Sequence, residues 1–186
     1  MWFEQGEHTG GQGRRNELLD LKKDVEDGLT NKELLAKYYG TYVRYHKGIE
    51  FCREMGYEHR TEKPTVYWYY GEAGCGKTTL ALSNTPDSFY VKDETKWWGG
   101  YNQQSTIIID DFDGKWPSKD FLRLLDWSPY QGQIKRGYVK INSEYIIITC
   151  DRHPRELYKD VFTPYELSKL LRLIDKIRHV GLNEDK

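Results

Sequence analysis

An unbroken segment of the chain, GEAGCGKT from Gly71 to Thr78, has the residue types and spacing of a phosphate-binding loop. Its glycines let the backbone curl so that N–H groups face phosphate oxygens. Lys77 is placed to reach the β and γ phosphates of ATP, and Thr78 to offer a hydroxyl to Mg²⁺. We therefore expect Thr78 to help hold Mg²⁺, and we expect ATP to be bound by the residues Gly71, Glu72, Ala73, Gly74, Cys75, Gly76, Lys77, Thr78 and Thr79.

The flanks of this loop decide between a nucleotide site and a chance glycine turn. TVYWYY, before the loop, has the aromatic and β-branched character of a strand, and TTLALSN, after it, is compatible with a helix. A strand, a glycine loop and a helix in that order are the structural context that a phosphate loop requires. The sequence therefore favours the nucleotide site.

A second acidic element is typical of a metal-dependent nucleotide site. In STIIIDDFD, Asp110 and Asp111 directly follow an apolar run of strand length. We expect Asp110 to hold Mg²⁺, directly or through water, and Asp111 to orient and activate the attacking water. A solvated loop start is the alternative reading of these carboxylates, and the phosphate loop upstream makes it the weaker one.

The elements that must position these groups follow two different patterns. Residues 14–58 have helical spacing of apolar side chains, with a T-x-x-E capping box at Thr30 and Glu33, and predict a unit of three helices. After Lys63 and Pro64 the pattern changes to short apolar strands, with further helices near 118–127 and 163–173. We therefore divide the chain into a flexible linker, a small helical unit and an ATPase domain, at residues 1–13, 14–62 and 63–186.

The predicted strands are 65–70, 88–91, 105–110 and 144–149. The continuous apolar character of TIII and YIII is typical of strands that are covered on both faces, as in a parallel sheet. The fold class is therefore α/β, with a mainly parallel sheet and flanking helices.

Composition limits the classes of function. The chain has 186 residues and a formal net charge of −1, so it is not a protein that grips nucleic acid by being basic throughout. Three cysteines without metal-ligand spacing predict reduced thiols, and no apolar run is long enough to cross a bilayer or to form a signal core. We expect a soluble intracellular protein with no membrane partner, in which any nucleic-acid contact is local.

The segment YVKDETKWWGGYNQQSTIIIDDFDG adds a more specific pattern. With the phosphate loop and the paired carboxylates, it resembles the superfamily 3 helicase domain of circovirus-type replication initiator (Rep) proteins, over about residues 14–181. The resemblance implies an AAA+-like P-loop ATPase preceded by a helical oligomerisation unit. It implies an ATP-dependent DNA helicase that assembles as a homo-oligomer, a hexameric ring, on single-stranded DNA during rolling-circle replication. Trp97 and Trp98, taken alone, are expected to lie in the core or to pack against the sheet.

A hairpin is expected downstream, in PYQGQIKRGYVKIN, with Gly137 in a tight turn. The resemblance implies that this hairpin projects into the channel of the ring and contacts single-stranded DNA. The DNA-contact candidates are then Lys135, Arg136 and Lys140, and Tyr138 is a candidate stacking group. A solvent-facing basic turn is the alternative for each of them.

The resemblance also implies roles for two later residues. YIIITCDRHP matches a motif that usually ends in Asn, which senses the γ-phosphate, but Asp151 stands there in this chain. Either Asp151 carries a proton, or it contacts water or metal, or ATP hydrolysis is slow, and Arg152 offsets its charge. Arg172 is the candidate arginine finger that reaches a neighbouring subunit's nucleotide, with a solvated arginine as the alternative.

Rep proteins of this type also carry a nuclease with a His-x-His pair and a Tyr-x-x-Lys motif, and neither pattern occurs here. We expect no nicking activity, and the nuclease domain would be a partner if the chain is a fragment. Two alternatives to the helicase stay open: a nucleotide-gated DNA-binding ring with weak turnover, and a P-loop small-molecule kinase. The resemblance places the protein in the host nucleus if it comes from a eukaryotic virus.

Overall fold

The structure is a computed structural model, and the chain separates into two compact units, Met1–Tyr57 and Glu58–Lys186. The structure describes residues 12–85, 88–93, 95–135 and 137–181, and it describes side chains from residue 16 onward. Most of the predicted linker, 1–13, lies outside the described residues. Its last two residues, Gln12 and Gly13, instead begin the first helix.

The first unit consists of three helices, as predicted: α1 (Gln12–Glu26), α2 (Asn31–Lys37) and α3 (Tyr39–Gly56). Thr30 caps α2 through the predicted capping box, because its hydroxyl accepts a hydrogen bond from the Glu33 N–H and the Glu33 carboxylate accepts one from the Thr30 N–H. The core of this unit is small. Its buried apolar residues are Leu21, Leu34, Tyr38 and Ile49.

The second unit is built on a five-stranded sheet in which every neighbouring pair of strands is parallel. In chain order its strands are β1 (Thr65–Tyr70), β2 (Phe89–Lys92), β3 (Thr106–Ile109), β6 (Tyr145–Cys150) and β7 (Lys176–His179). They lie side by side in the order β2-β3-β6-β1-β7. The predicted α/β fold with a mainly parallel sheet is confirmed.

Helices cover both faces of this sheet, as the unbroken apolar strands predicted. The helices are α4 (Lys77–Ser83), α5 (Ser118–Leu125), α6 (Pro154–Leu157) and α7 (Pro164–Leu173). On one face Ala81 of α4 packs with Tyr69 and Ile108. On the other, the Trp68 ring lies 5.9 Å from the Phe112 ring, which stacks on Phe121 of α5 at 4.8 Å.

Strand β7 was missed by the sequence analysis, although it affects the phosphate loop. It pairs with β1, and the residue after it, Val180, donates its N–H to the Tyr70 carbonyl at 2.8 Å. A Cβ added at Gly71 would lie 2.3 Å from the Val180 carbonyl oxygen. The first residue of the loop must therefore be glycine because of a backbone that the sequence pattern did not place beside it.

The division between the units falls five residues before the expected one, since the second unit begins at Glu58. Arg60 explains the difference. Its guanidinium is buried and donates to the carbonyl oxygens of Leu124 at 2.7 Å and Asp126 at 3.2 Å. Burial lowers the pKa of Arg60. The segment around Arg60 therefore packs with α5, within the second unit.

A separate two-stranded sheet forms the predicted hairpin, from β4 (Tyr130–Ile134) and β5 (Gly137–Ile141). Gly137 is the first residue of β5 and pairs with Ile134, so it does not lie in the turn as expected. Among the described residues, no helix combines the length and the apolar character needed to cross a membrane.

Candidate functional site

The carboxyl ends of three neighbouring strands, β3, β6 and β1, meet at one edge of the sheet. Asp110 follows β3, Asp151 follows β6 and Gly71 follows β1. Open α/β sheets bind ligands at this edge, because the loops that leave the strands there can converge on one molecule. The sheet therefore brings together the phosphate loop, the paired carboxylates and the later acidic residue, which lie far apart in sequence.

The phosphate loop joins β1 to α4 and ends at the N-terminus of that helix. Gly74 and Gly76 have φ values of 80° and 92°, in the left-handed region that favours glycine. The ammonium of Lys77 donates to the carbonyl oxygens of Gly71 and Glu72, both at 2.8 Å. The lysine that is expected to reach the phosphates is thus held within the loop itself.

Thr78 and Asp110, the two residues expected to hold the metal, are in direct contact. The Thr78 hydroxyl donates to Oδ1 of Asp110 at 2.9 Å. A hydroxyl and a carboxylate are oxygen ligands of the kind that Mg²⁺ prefers, and Mg²⁺ in such sites completes its shell with water and phosphate oxygens. The donor set fits the ion that the sequence predicted.

Thr149, in β6, is a residue that the sequence analysis missed. Its buried hydroxyl donates to Oδ1 of Asp110 at 2.7 Å and accepts a hydrogen bond from the Asp111 N–H at 2.8 Å. One side chain therefore orients the carboxylate expected to hold Mg²⁺ and the backbone of the residue expected to activate water. Asp111 has a φ of 52°, which is uncommon for a residue other than glycine, and the Thr149 contact stabilises that conformation.

Asp151 is exposed and forms an ion pair with its neighbour, since Nε of Arg152 lies 3.2 Å from Oδ1. Partial burial opposes ionisation of Asp151. The hydrogen bonds from Arg152 and from the Cys150 thiol outweigh that effect and hold the pKa of Asp151 below its ordinary value. Asp151 is therefore ionised at neutral pH, which argues against the first of the three alternatives, that it carries a proton. Arg152 does offset its charge.

The other predicted contacts belong to different elements of the second unit. Arg172, in the last turn of α7, is exposed, as a residue that reaches a neighbouring subunit would need to be. Lys135 is exposed in the turn of the hairpin, Tyr138 is 66% exposed on β5, and Lys140 is half-buried. Arg136 lies outside the described residues.

The hairpin is held by Trp98, one of the two tryptophans expected in the core. Trp98 is 1% exposed, and its backbone N–H donates to the Gln133 carbonyl at 2.9 Å. A Cβ on Gly132 would lie 2.2 Å from the indole. Trp97, at 38% exposed, does not share this burial, so the prediction of a core role fails for it.

A buried lysine packs behind Trp98. Lys92, 1% exposed at the end of β2, places its ammonium 5.3 Å from the Trp98 ring and 5.2 Å from the Trp116 ring. The same ammonium lies 2.8 Å from Oδ1 of Asp93, so the charge is paired. In the sheet, Lys92 lies beside Ile109, and Ile109 is the residue that precedes Asp110. The contacts that support the hairpin therefore extend to the sheet position next to Asp110, the carboxylate expected to hold Mg²⁺.

The comparisons with known proteins agree with this arrangement. A family model described as RNA helicase matches residues 67–152, which contain the phosphate loop, the paired carboxylates and the hairpin. The Replication-associated protein of Goose circovirus is 36% identical over 166 residues, which cover 89% of this chain and 56% of the relative. The predicted resemblance to circovirus-type Rep helicase domains is confirmed.

Two further Rep relatives have the same relation to this chain. The Replication-associated protein of Human associated cyclovirus 1 is 34% identical over 94% of this chain and 64% of its own length. That of Porcine circovirus 2 is 31% identical over 82% of this chain and 50% of its own length. The chain therefore spans about half to two thirds of the length of these Rep proteins.

Among solved structures, the S. cerevisiae Hsp104-ADP complex has a TM-score of 0.44 at 14% identity, covering 94% of this chain and 37% of that one. Hsp104 with ATPγS and FITC casein has a TM-score of 0.41 at 15% identity, covering 93% and 37%.

Proposed function

We propose that the chain is an ATP-dependent helicase domain that forms a ring on single-stranded DNA during rolling-circle replication. The observation that carries this proposal is the joint placement of two sites in one unit: a phosphate loop beside the Thr78–Asp110 pair, and a hairpin with exposed Lys135 and Tyr138. The RNA helicase model and the Rep relatives support the coarser role, an ATPase and helicase in replication.

Each part of the nucleotide site has a role in hydrolysis. Backbone N–H groups of the loop and the Lys77 ammonium would hold the phosphates, while Thr78 and Asp110 would hold Mg²⁺. Mg²⁺ neutralises charge on the β and γ phosphates when bound. Asp111 would orient the attacking water and accept its proton. The hydrogen bonds of Thr149 keep both acidic residues in place for these roles.

Ring formation is supported by the surface of the helical unit. Large apolar side chains on a small unit are a sign of a protein contact when they are exposed. Those that are at least 42% exposed are Leu18, Leu19, Tyr39, Val43, Tyr45, Phe51 and Met55. We propose that this unit joins neighbouring subunits and that Arg172 of one subunit reaches the nucleotide of the next.

The test of this proposal is ATP hydrolysis with and without single-stranded DNA, together with particle mass in the presence of a non-hydrolysable ATP analogue. We expect DNA to raise turnover and the analogue to favour a ring. A parallel titration with single-stranded RNA identifies the preferred strand, since the matching family model carries an RNA helicase description. The proposed helicase function would be overturned if the chain stayed monomeric and neither DNA nor RNA changed its ATP turnover.

Subunit mixing tests the shared site. Lys77→Ala should abolish hydrolysis, and Arg172→Ala should stop turnover while nucleotide still binds to each subunit. Mixing the two variants should restore part of the activity, because some interfaces then combine an intact loop with an intact arginine. Lys159→Ala, at an exposed lysine that is not among the candidate site residues, is the control and should match the unchanged protein. Failure to recover activity on mixing would remove Arg172 from the shared site.

Asp151 favours a second candidate, a nucleotide-gated DNA-binding ring with weak turnover. An ionised carboxylate accepts hydrogen bonds but donates none, so it repels the γ-phosphate where an Asn amide would bind it. Single-turnover hydrolysis near the background rate, with DNA binding retained, would support this candidate over the helicase.

The wider setting is also proposed from the Rep relatives. We propose that the domain acts in the host nucleus and beside a nuclease domain of the same replication protein. If the purified chain alone nicked DNA, that result would contradict our expectation that it does not cut DNA.

A further inference from the structure

A cavity of 750 Å³ lies beside the hairpin, apart from the phosphate loop. One wall is the hairpin itself, through Gln131, Gln133 and Tyr138. The register pairs Gln133 with Tyr138, and Gln131 lies two residues from Gln133, so all three side chains share one face of the two strands. The cavity has the size of a typical small-ligand site, about 300–1,000 Å³.

The chemistry of the walls suits a flat ligand with hydrogen-bonding edges. Tyr138 offers a ring that is 66% exposed, and the half-buried Trp116 offers a second. Each glutamine amide has both a donor and an acceptor, as the edge of a nucleobase has. Aromatic rings stack on bases of any sequence.

The lining of the cavity carries charges of both signs. The basic residues are Lys96, Lys115 and Arg123, and the acidic ones are Asp113 and Asp120. Two carboxylates oppose a bound phosphate but accept hydrogen bonds from base N–H groups. Lys115 is paired with Asp113, so these two charges offset each other and the lining is not strongly basic.

The position of the cavity connects it to both proposed sites. Phe112, which directly follows Asp111, lies in its wall, and so does Trp98, which holds the hairpin. A strand that follows the basic tip of the hairpin would pass the cavity within the same unit. None of the residues from Gly71 to Thr79 is among those that line it.

We propose that this cavity accepts one unstacked nucleobase of the single strand that the hairpin contacts. The inference rests on the proposed function, because it needs a strand at the hairpin, and it adds a base contact to a surface otherwise expected to bind phosphates. The base would lie against Tyr138, with its edge bonded by Gln131 and Gln133. Since every base has a stacking face, the site would tolerate any sequence.

The test compares two ligands with the same sugar-phosphate backbone, a short oligothymidylate and a fully abasic strand of equal length. We expect the unchanged protein to prefer the strand with bases by about 5- to 150-fold, from the usual strength of base stacking on an aromatic ring. Tyr138→Ala and Gln133→Ala should each reduce that preference. Tyr165→Ala, at an aromatic residue that is 79% exposed on α7, should retain it.

A photocrosslink locates the base independently of affinity. An oligonucleotide carrying 5-iodo-2′-deoxyuridine should crosslink to Tyr138 or Trp116, as read by mass spectrometry. Crosslinks confined to other residues would overturn the proposal. Urea unfolding of each variant checks that its fold is unchanged, and the exposure of Tyr138 makes a stable variant the expected result.

The remaining outcomes separate this inference from the proposed function. Equal binding of both strands by the unchanged protein would overturn the base site and leave the helicase intact. An unaltered preference in Tyr138→Ala and Gln133→Ala would do the same. If neither strand binds, both the base site and the proposed function are overturned.

Discussion

The candidate nucleotide site, at the edge of the sheet where β1, β3 and β6 end, and the hairpin of β4 and β5 are stabilised by different kinds of contact. At the edge, hydroxyl groups of Thr78 and Thr149 lie within 2.9 Å of one oxygen of Asp110. At the hairpin, the indole of Trp98 lies against Gly132, and other aromatic rings surround it, including Tyr90 at 6.0 Å and Tyr130 at 5.9 Å. The first arrangement depends on directed polar groups, and the second depends on shape.

The difference suits the two proposed tasks. Hydrolysis needs metal ligands and an attacking water fixed to within fractions of an ångström, and hydrogen bonds provide that precision. A hairpin that follows DNA must keep its tip exposed, so it is best supported at its base, and a close-packed base transmits any shift of its neighbours. Lys92 joins the two arrangements, since it lies beside Ile109 and under Trp98.

Among the substitutions that compare these two regions, the largest effect is expected from Thr149→Val, which removes the polar contact and preserves the size of the side chain. The change leaves the Asp111 N–H without its acceptor and Asp110 without one donor, at a cost of about 1–3 kcal/mol, or about 5- to 150-fold in ATP turnover. The Mg²⁺ concentration required for half-maximal turnover should rise in the same assay. Nucleic-acid binding should change little, since the contacts of Trp98 remain.

Thr149→Ser is the matched control, because serine retains the hydroxyl and lacks only a methyl group. It should recover most of the turnover and the normal Mg²⁺ requirement. If the serine variant is as slow as the valine variant, Thr149 acts through packing alone and the contrast between the two regions disappears.

Gly132→Ala tests the shape-dependent region in the corresponding way. The added Cβ would lie 2.2 Å from the buried indole of Trp98, so the hairpin must shift. Such overpacking costs about 1–3 kcal/mol in the free energy of unfolding. We expect lower thermal stability and a loss of nucleic-acid-stimulated turnover that exceeds any loss of unstimulated turnover.

Gly48→Ala makes the same substitution where the neighbourhood is open. Gly48 lies within α3, and nothing is found within 4 Å of an added Cβ. Alanine there should stabilise the helical unit by about 1 kcal/mol. If both alanine variants had the same effect on thermal unfolding, the close approach to Trp98 would not be what supports the hairpin.

Asp151→Asn should have a smaller effect of opposite sign on turnover. The amide can donate a hydrogen bond to phosphate and removes the negative charge that Arg152 now offsets. One added neutral hydrogen bond is worth about 0.5–1.5 kcal/mol, or about 2- to 13-fold in turnover, measured under single-turnover conditions. Asp160→Asn changes an exposed carboxylate elsewhere and should have no effect. A decrease in Asp151→Asn would mean that the carboxylate itself takes part in the reaction.

The residues that sequence analysis identified best are those whose pattern is local. The phosphate loop, the Thr30–Glu33 capping box and the strands of TIII and YIII can each be recognised within a few residues, and the structure contains these elements. An apolar run of that length has few alternatives in a folded chain. Strand β7, with the sequence KIRH, has no such run because it lies at the edge of the sheet and is mostly exposed.

Residues whose roles depend on contacts far away in the sequence could not be assigned those roles from the sequence alone. Thr149 bonds to Asp110 only because β3 and β6 are adjacent, and strand order does not follow from periodicity. Trp98 was expected in the core, but its support of the hairpin depends on contact with Gly132, 34 positions along the chain. Each case needs a long-range pairing that local pattern does not contain.

Lys135→Ala is expected to have the smallest effect and is the most informative about assembly. Lys135 is exposed at the tip, so its removal should weaken strand binding mainly through one phosphate. The slope of log affinity against log salt should become less steep by about 0.7 for each phosphate of a single strand that the protein no longer neutralises. Tyr138→Ala should lower affinity with an unchanged slope, because stacking releases no counterions.

In a ring that engages several hairpins at once, Lys135→Ala would change the slope by a multiple of that value, so the measurement counts the hairpins on the strand. An unchanged slope would place Lys135 off the strand and leave the base contact as the main support for the hairpin's role.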